Sequence, residues 1–305
     1  MTRHTGLHHT ARRCALAALA MGLLLPAGCK KKDGASGGAK PLAIQNVGSD
    51  TMVNLAQSWA EAYSLVEPGV SVEVSGGGSG IGVAALLNGT CDIANSSRHL
   101  EPAEVDKFKA THNGAEPQET KVGYDALAVY VHPSNPRNEI SVEELGEIYR
   151  EGGKFNQWSD LGVTIPGAPD DIIRISRQNN SGTYHYFREA VVGKKADFKK
   201  GSRDLNGSKD VVALVSTTPS AIGYSGIGYK TDKVKVLKVS AKKGEPAVMP
   251  SIATTLDKTY PIARPMFFYL PPNPPPHVEN YIKWVLSPSG QKLVEEKGYV
   301  PLEKK

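Results

Sequence analysis

From residue 42 onward the chain alternates short apolar runs with helix-period patterns, and glycine and hydroxyl residues cluster where a run gives way to a helix. Residues 42–47 read as a strand. Residues 52–63 read as a helix with Val53, Leu55, Ala56, Trp59, Ala60 and Tyr63 on its apolar side. A second strand is expected at 70–74, a short helix at 81–87 closed by Asn88-Gly89, and a third strand at 92–95. Strand, loop and helix in this order predict a mostly parallel α/β sheet. Beyond it, 125–132 is a continuous apolar run expected as a buried strand, and 142–150 a helix capped by Ser141. Further strands are expected at 172–176, 222–224 and 234–239, with helices at 183–192, 211–215, 278–286 and 290–296. Residues 261–270 form one more strand, which Pro265 assigns to an edge or an irregular position.

The 305 residues exceed what one small core needs, which favours two lobes or a large α/β unit. The formal charge of +5 is spread along the chain, without the basic run or stripe of a nucleic-acid binder. Beyond the leader the histidines are His99, His112, His132, His185 and His277. None is paired at metal-ligand spacing, so neither zinc nor another cofactor is expected.

Arg3, Arg12 and Arg13 open the chain without an acidic residue, and the apolar stretch 14–25 has the length of a signal-peptide core. It ends in Leu25-Pro26-Ala27-Gly28-Cys29, which is similar to the bacterial lipobox. Residues 1–28 therefore read as a lipoprotein signal peptide, Cys29 as the lipidated residue, and 29–41 as anchor and flexible tether. Pro26 stands where the lipobox prefers leucine, so cleavage near Ala27 without a lipid is the alternative. Lys30, Lys31 and Lys32 would add the second signal that one lipid needs at an anionic membrane. Loss of the leader takes the 36 basic residues to 33, against 31 acidic ones, a near-neutral mature domain. It also leaves Cys91 alone beside the anchor, so no disulfide is expected in the folded part and Cys91 reads as a small buried hydrophobe.

Three clusters carry the chemistry: Gly48-Ser49-Asp50-Thr51, Gly76 to Gly80 with Ser79, and Arg177 to Thr183 with Ser181 and Gly182. Each stands between a strand and a helix. A helix start presents unpaired N–H groups and partial positive charge, and glycines and hydroxyls there let an anion approach closely. Helix capping alone is the competing use of each cluster. Converging, the three would make a cage of donors, with Arg177 supplying a fork for two oxygens of one anion. The glycines at 76–82 make neither a dinucleotide fingerprint nor a P-loop, because Val83 and Ala84 follow Gly82 where lysine and a hydroxyl are needed. Gly77 and Ser79 are followed by Ile81, and Gly223 and Ser225 by Ile227, so neither segment makes a G-x-S-x-G elbow, and no nucleophile–base pair or metal cluster supports hydrolysis of phosphate esters.

The segments VGSDTM (47–52), SGGGSGIG (75–82), DIANSSR (92–98), SRQNNSGTYHYFRE (176–189), AIGYSGIGY (221–229) and WVLSPSGQKLVEEKGYVPL (284–302) stand in order. Together the chain resembles the PstS-like phosphate-binding proteins of ABC importers over about 42–302. The resemblance implies a two-lobe α/β type II periplasmic-binding-protein fold with a hinge between discontinuous lobes, 42–133 plus 260–305 against 134–259. It implies Asp50 and Thr51 on a first phosphate-contacting loop, joined by Ser49, and Ser79 and Gly80 on a second. Arg177, Ser181, Gly182 and Thr183 fall on the third. Longer relatives carry a carboxylate where this chain has Ser97, followed by Arg98. That carboxylate accepts the proton of hydrogen phosphate and so rejects sulfate, since a buried acceptor facing an unprotonated oxygen would stay unpaired. Asp50 is the residue expected to take over this role, with helix capping as its other use. Ser97 and Arg98 are expected at the anion, an interlobe salt bridge being the alternative for Arg98. The implied partners are inorganic phosphate, permease subunits and, through the N-terminal lipid, the periplasmic or outer face of a membrane, with the protein a monomer. Sulfate, molybdate or tungstate, or a phosphate sensor without a transport role, remain open as alternatives.

Overall fold

The structure, a computed structural model, describes residues 41–302; the expected signal peptide, Cys29 and nearly all of the tether lie outside the described residues. Strand β1 (Leu42–Gly48) leads through a 3-10 turn (Asp50–Met52) into α1 (Val53–Val66), and β2 (Val70–Ser75) into α2 (Ser79–Leu87). β3 (Ile93–Ser96), α3 (Pro102–Thr111) and the long β4 (Gln118–Val131) follow. Next come β5 (Glu139–Ser141), α4 (Val142–Tyr149), β6 (Ile173–Arg177), α5 (Gly182–Phe187), β7 (Arg203–Leu205), α6 (Ser208–Thr217) and β8 (Ala221–Gly226). β9 (Lys235–Val236), β10 (Lys238–Ser240), α7 (Ile252–Leu256), β11 (Ala263–Leu270), α8 (Pro276–Val285) and α9 (Pro288–Glu296) complete the order.

The main sheet runs β2-β1-β3-β11-β4-β8-β6-β7. Two parallel groups, β2-β1-β3 and β8-β6-β7, flank β11 and β4, which pair antiparallel with each other and with their outer neighbours. β4 belongs to both halves: Gln118 to Ala126 pair with β11, and Leu127 to Val131 pair with β8. Each half buries its own core. In the first, Ile44, Leu55 and Trp59 pack with Phe268, Tyr281 and Val294. In the second, Leu127 and Val129 pack with Trp158, Phe187 and Tyr224. Apolar faces of this kind drive the assembly of each half, at about 25 cal/mol per Å² removed from water. Among the described residues no helix is long and apolar enough to cross a membrane.

Several elements differ from expectation for local reasons. α3 was not expected: only Phe108 of it is buried, so it lacks an apolar stripe, and it is held instead by a capping box between Glu101 and Glu104. β11 is an interior strand despite Pro265, which stands opposite Tyr124. The register slips between Met266 and Phe267, so the irregular position is realised in the middle of the sheet. β4 starts seven residues before the apolar run, because its polar beginning pairs with the far end of β11. The single strand expected at 234–239 divides, β9 pairing with β4 and β10 with β5.

Candidate anion-binding site

The three clusters follow the C-terminal ends of β1, β2 and β6, and Ser97 follows β3. That is the edge of an α/β sheet at which loops converge. α2 presses so closely on this edge that a Cβ added to Gly82 would lie 2.5 Å from the Val47 carbonyl oxygen. Gly48, at φ +141°, turns the chain beside Asn95, whose carbonyl oxygen accepts the Ser49 N–H at 3.0 Å.

Ser49, Thr51, Ser79, Ser97, Ser181 and Thr183 are all buried. Ser49 donates its hydroxyl to Ser97 Oγ at 2.9 Å, and Ser97 donates its N–H to Ser79 Oγ at 3.1 Å. Ser79 Oγ and Ser97 Oγ lie 3.4 Å apart. Thr51 Oγ1 meets Thr183 Oγ1 at 2.7 Å, joining residues 132 positions apart from the two halves. Gly182 lies between these groups; a Cβ there would come within 2.3 Å of Ser79 Oγ and 2.7 Å of Ser97 Oγ. Ser181 caps α5, accepting from the N–H groups of Thr183 (3.1 Å) and Tyr184 (3.4 Å). A hydroxyl that accepts twice keeps its own hydrogen to donate, so capping and ligand binding are compatible at this residue.

Two buried arginines border the cluster. Arg177 donates to the carbonyls of Leu205 (3.3 Å) and Asn206 (2.6 Å) and to Ser208 Oγ (2.9 Å), and approaches Asp50 Oδ2 at 3.5 Å. Burial lowers its pKa and the Asp50 charge opposes that shift. Asp50 Oδ2 also accepts the Ser208 N–H at 2.5 Å, at the first turn of α6, and the Asp50 carbonyl accepts the Tyr229 hydroxyl at 2.7 Å. Asp50 therefore caps a helix, but in the opposite half of the molecule and not its own. Arg264, absent from the expected set, bonds Asp125 Oδ2 through Nη2 (2.8 Å) and Nε (3.1 Å). Its Nη2 also reaches Thr183 Oγ1 (2.9 Å) and Thr51 Oγ1 (3.4 Å).

Two expected ligands are turned elsewhere. Arg98 places both arms of its fork on Glu104 at 2.7 Å and donates to the His99 carbonyl at 2.8 Å, a pairing six residues along the chain and not one between halves. The geometry wins because the Glu104 capping carboxylate is already fixed at the start of α3. Gly80 spends its N–H on the Asn180 carbonyl at 3.0 Å, and Asn180 Nδ2 returns a bond to the Gly77 carbonyl at 2.9 Å. That pair of bonds clasps the second and third loops together. His185 is half-buried, its pKa lowered by desolvation and then by Arg98. Tyr224 is a core residue, stacked 3.7 Å from Phe187 and bonded to Ser176 Oγ at 2.7 Å. Among the described residues no group of three or more His, Cys, Asp or Glu is placed to hold a metal ion.

Comparison with known proteins identifies the family. A family model for the PBP superfamily domain matches residues 34–289. The phosphate-binding protein PstS of Pseudomonas aeruginosa is 35% identical over 286 residues, covering 90% of this chain and 86% of its own. Protein SphX of Synechococcus elongatus is 35% identical over 271 residues, covering 85% of this chain and 77% of its own. A substrate-binding protein from Clostridium perfringens, solved with bound phosphate, superposes with a TM-score of 0.76 at 26% identity, covering 86% of this chain and 100% of the other. With its curled mixed sheet, two cores and strands shared between halves, the chain belongs to the PBP superfamily, with a two-lobe type II fold, and within it to the PstS-like substrate-binding proteins of ABC importers.

Proposed function

We propose that this chain binds inorganic phosphate outside the cytoplasm and delivers it to the permease of an ABC importer. The observation that carries the reading is the buried meeting of Ser49, Thr51, Ser79, Ser97, Ser181 and Thr183 around Gly182, contributed by four strand ends in both halves. A tetrahedral oxyanion offers acceptors in every direction, and hydrogen bonds to a charged partner contribute about 1.5–3 kcal/mol each, enough in number to offset dehydration. The P. aeruginosa relative is named for phosphate binding and the C. perfringens structure holds phosphate, which favours phosphate over other XO4 ions.

In this reading Arg177 contributes charge from the third loop, while Arg98 and Gly80 leave the ligand set. Asp50 is the acceptor for the phosphate proton: its Oδ2 is taken by the Ser208 N–H and faces Arg177, and Oδ1 remains to accept. In this reading the anion is held by hydrogen bonds alone, from hydroxyls that without it bond one another, Arg264 or backbone groups. The two lobes meet where β4 passes from pairing with β11 to pairing with β8, and they close about that point. The monomer is held at the membrane by a lipid on Cys29.

Calorimetry on the soluble chain beginning near Lys40, with phosphate, sulfate and molybdate, tests the reading. Phosphate is expected to bind at least about a hundredfold more tightly than sulfate, the discrimination a mispaired buried proton acceptor supplies. Equal affinity for all three ions, or no heat with phosphate, defeats it.

A further inference from the structure

β2 and β6 stand six strand positions apart in the order of the main sheet. In a flat sheet, six spacings of about 4.8 Å would hold their ends about 29 Å apart. The loops that follow them nevertheless touch. Asn180, in the loop after β6, accepts the Gly80 N–H at 3.0 Å through its carbonyl and donates Nδ2 to the Gly77 carbonyl at 2.9 Å. Only the curl of the sheet, with β11 and β4 in its middle, brings the two outer groups face to face at this point.

Gly80 lies in the first turn of α2, where backbone N–H groups have no partner inside the helix. The residue before that helix is Gly78, which has no side chain to cap it. The cap comes from Asn180, in the other half. α6 repeats the arrangement in the opposite sense: it too follows a glycine, Gly207, and its Ser208 N–H is taken by Asp50 Oδ2 from the first half. Each half thus leaves one helix start for the other to complete.

The glycine loop fits this use. A Cβ on Gly78, which stands at φ +105°, would lie 2.6 Å from the Asn180 carbonyl oxygen, and one on Gly80 would lie 3.2 Å from it. The room these glycines leave is filled by the third loop. That loop is fixed from its own side: Gln178 donates its N–H to the Leu205 carbonyl and Ser181 its N–H to the Gln178 carbonyl, both at 3.0 Å, and His185 Nε2 lies 2.8 Å from the Asn179 carbonyl oxygen. Asn180 Oδ1 is buried with no hydrogen-bond partner among the described residues, so the side chain contributes the Gly77 bond alone.

We propose that Asn180 is a latch: by capping α2 from the opposite half it holds the closed form together and sets how long a captured anion stays, without touching the anion. This rests on the phosphate reading above. A residue that bonds the anion changes which anion is preferred, whereas a latch slows the release of all of them alike. It acts after capture, so the rate of entry does not depend on it.

Two variants of the full chain test this. Asn180→Ala removes the bond to Gly77 together with the unpaired Oδ1. Gly80→Ala sets a methyl group against the Asn180 carbonyl at a helical position, where alanine raises helix propensity. Release is read by chasing bound radiolabelled phosphate with unlabelled phosphate, and affinity by calorimetry; the release rate divided by the dissociation constant gives the rate of entry. Each substitution is expected to speed release about three- to tenfold, the worth of one hydrogen bond. Entry is expected to stay within about twofold of wild type, and the ratio of phosphate to sulfate affinity to stay unchanged. Combined, the two are expected to speed release by less than the product of their single effects, because a loop displaced by the methyl group no longer reaches Gly77. A native release rate in either variant, a loss confined to entry, an altered ion ratio or a fully multiplicative double variant overturns the proposal and leaves phosphate binding standing. A wild-type chain that holds no phosphate overturns the phosphate reading, and the latch with it.

Discussion

Thr51 and Thr183 touch, hydroxyl to hydroxyl at 2.7 Å, although one follows β1 in the first half of the molecule and the other opens α5 in the second. Both are buried, and a single guanidinium reaches the two oxygens. Thr183→Val keeps the shape of the side chain and removes the hydroxyl. Phosphate affinity is expected to fall about ten- to a hundredfold, as loss of a charge-assisted bond implies, with little change in the melting temperature. Calorimetry beside thermal unfolding checks this; unchanged affinity would take Thr183 out of the site.

Gly182 has no room for a methyl group, since the added carbon would enter within 2.3 Å of Ser79 Oγ. Its backbone is helical, so Gly182→Ala introduces no backbone strain and raises helix propensity. The substitution is expected to hold the halves apart, lowering phosphate affinity by more than about tenfold while stability stays within about 1 kcal/mol. Small-angle scattering with and without phosphate reads the separation directly. Full compaction with native affinity would contradict the steric argument.

Asp50 joins the halves by accepting the Ser208 N–H and facing Arg177. Asp50→Asn retains the volume and loses the acceptor charge. The ratio of phosphate to sulfate affinity is expected to drop at least about tenfold, because the amide no longer penalises an ion without a proton. Competition calorimetry measures the ratio, and an unaltered value would return Asp50 to a purely structural role.

Glu104 titrates below its ordinary value: burial raises its pKa, but the bonds from Arg98 and the Glu101 N–H outweigh that. A carboxylate lowered on folding contributes stability above its unfolded pKa of about 4.3 and loses it as pH falls through the lower folded value. Glu104→Gln is therefore expected to destabilise the protein at neutral pH by about 1–3 kcal/mol. The penalty should shrink steadily below about pH 4, where the wild-type carboxyl takes up its proton. Urea unfolding of both proteins across that range follows the convergence, and a penalty independent of pH would sink the assignment.

Much of this site could be read from the chain before folding was considered. Ser49, Thr51, Ser79, Ser97, Ser181 and Thr183 are short polar residues at strand-to-helix boundaries, where periodicity changes and local rules apply. The Arg98–Glu104 pairing is not legible in the sequence because Glu104 belongs to α3, a helix with too few buried residues to show a stripe. Arg264 escaped because proximity to Thr51 is set by a cross-strand pairing over 139 positions with Asp125, which no local pattern encodes. A signal existed nonetheless. Both charges interrupt otherwise apolar strand runs, and a lone charge in each of two such runs asks for a partner. Of the two positions Pro265 allows, the irregular one is realised, its missing donor absorbed by a shifted register and not by an edge.

The first core closes only with the last part of the chain. Trp59 Nε1 donates to the Gly290 carbonyl at 2.8 Å across 231 positions, and Tyr281, Val294 and Tyr299 fill the space beside Leu55. During synthesis, then, the amino-terminal half emerges with its hydrophobic face exposed until the final helices leave the ribosome. The first core therefore cannot be completed before α8 and α9 have been synthesised, whatever order the rest of the sheet follows.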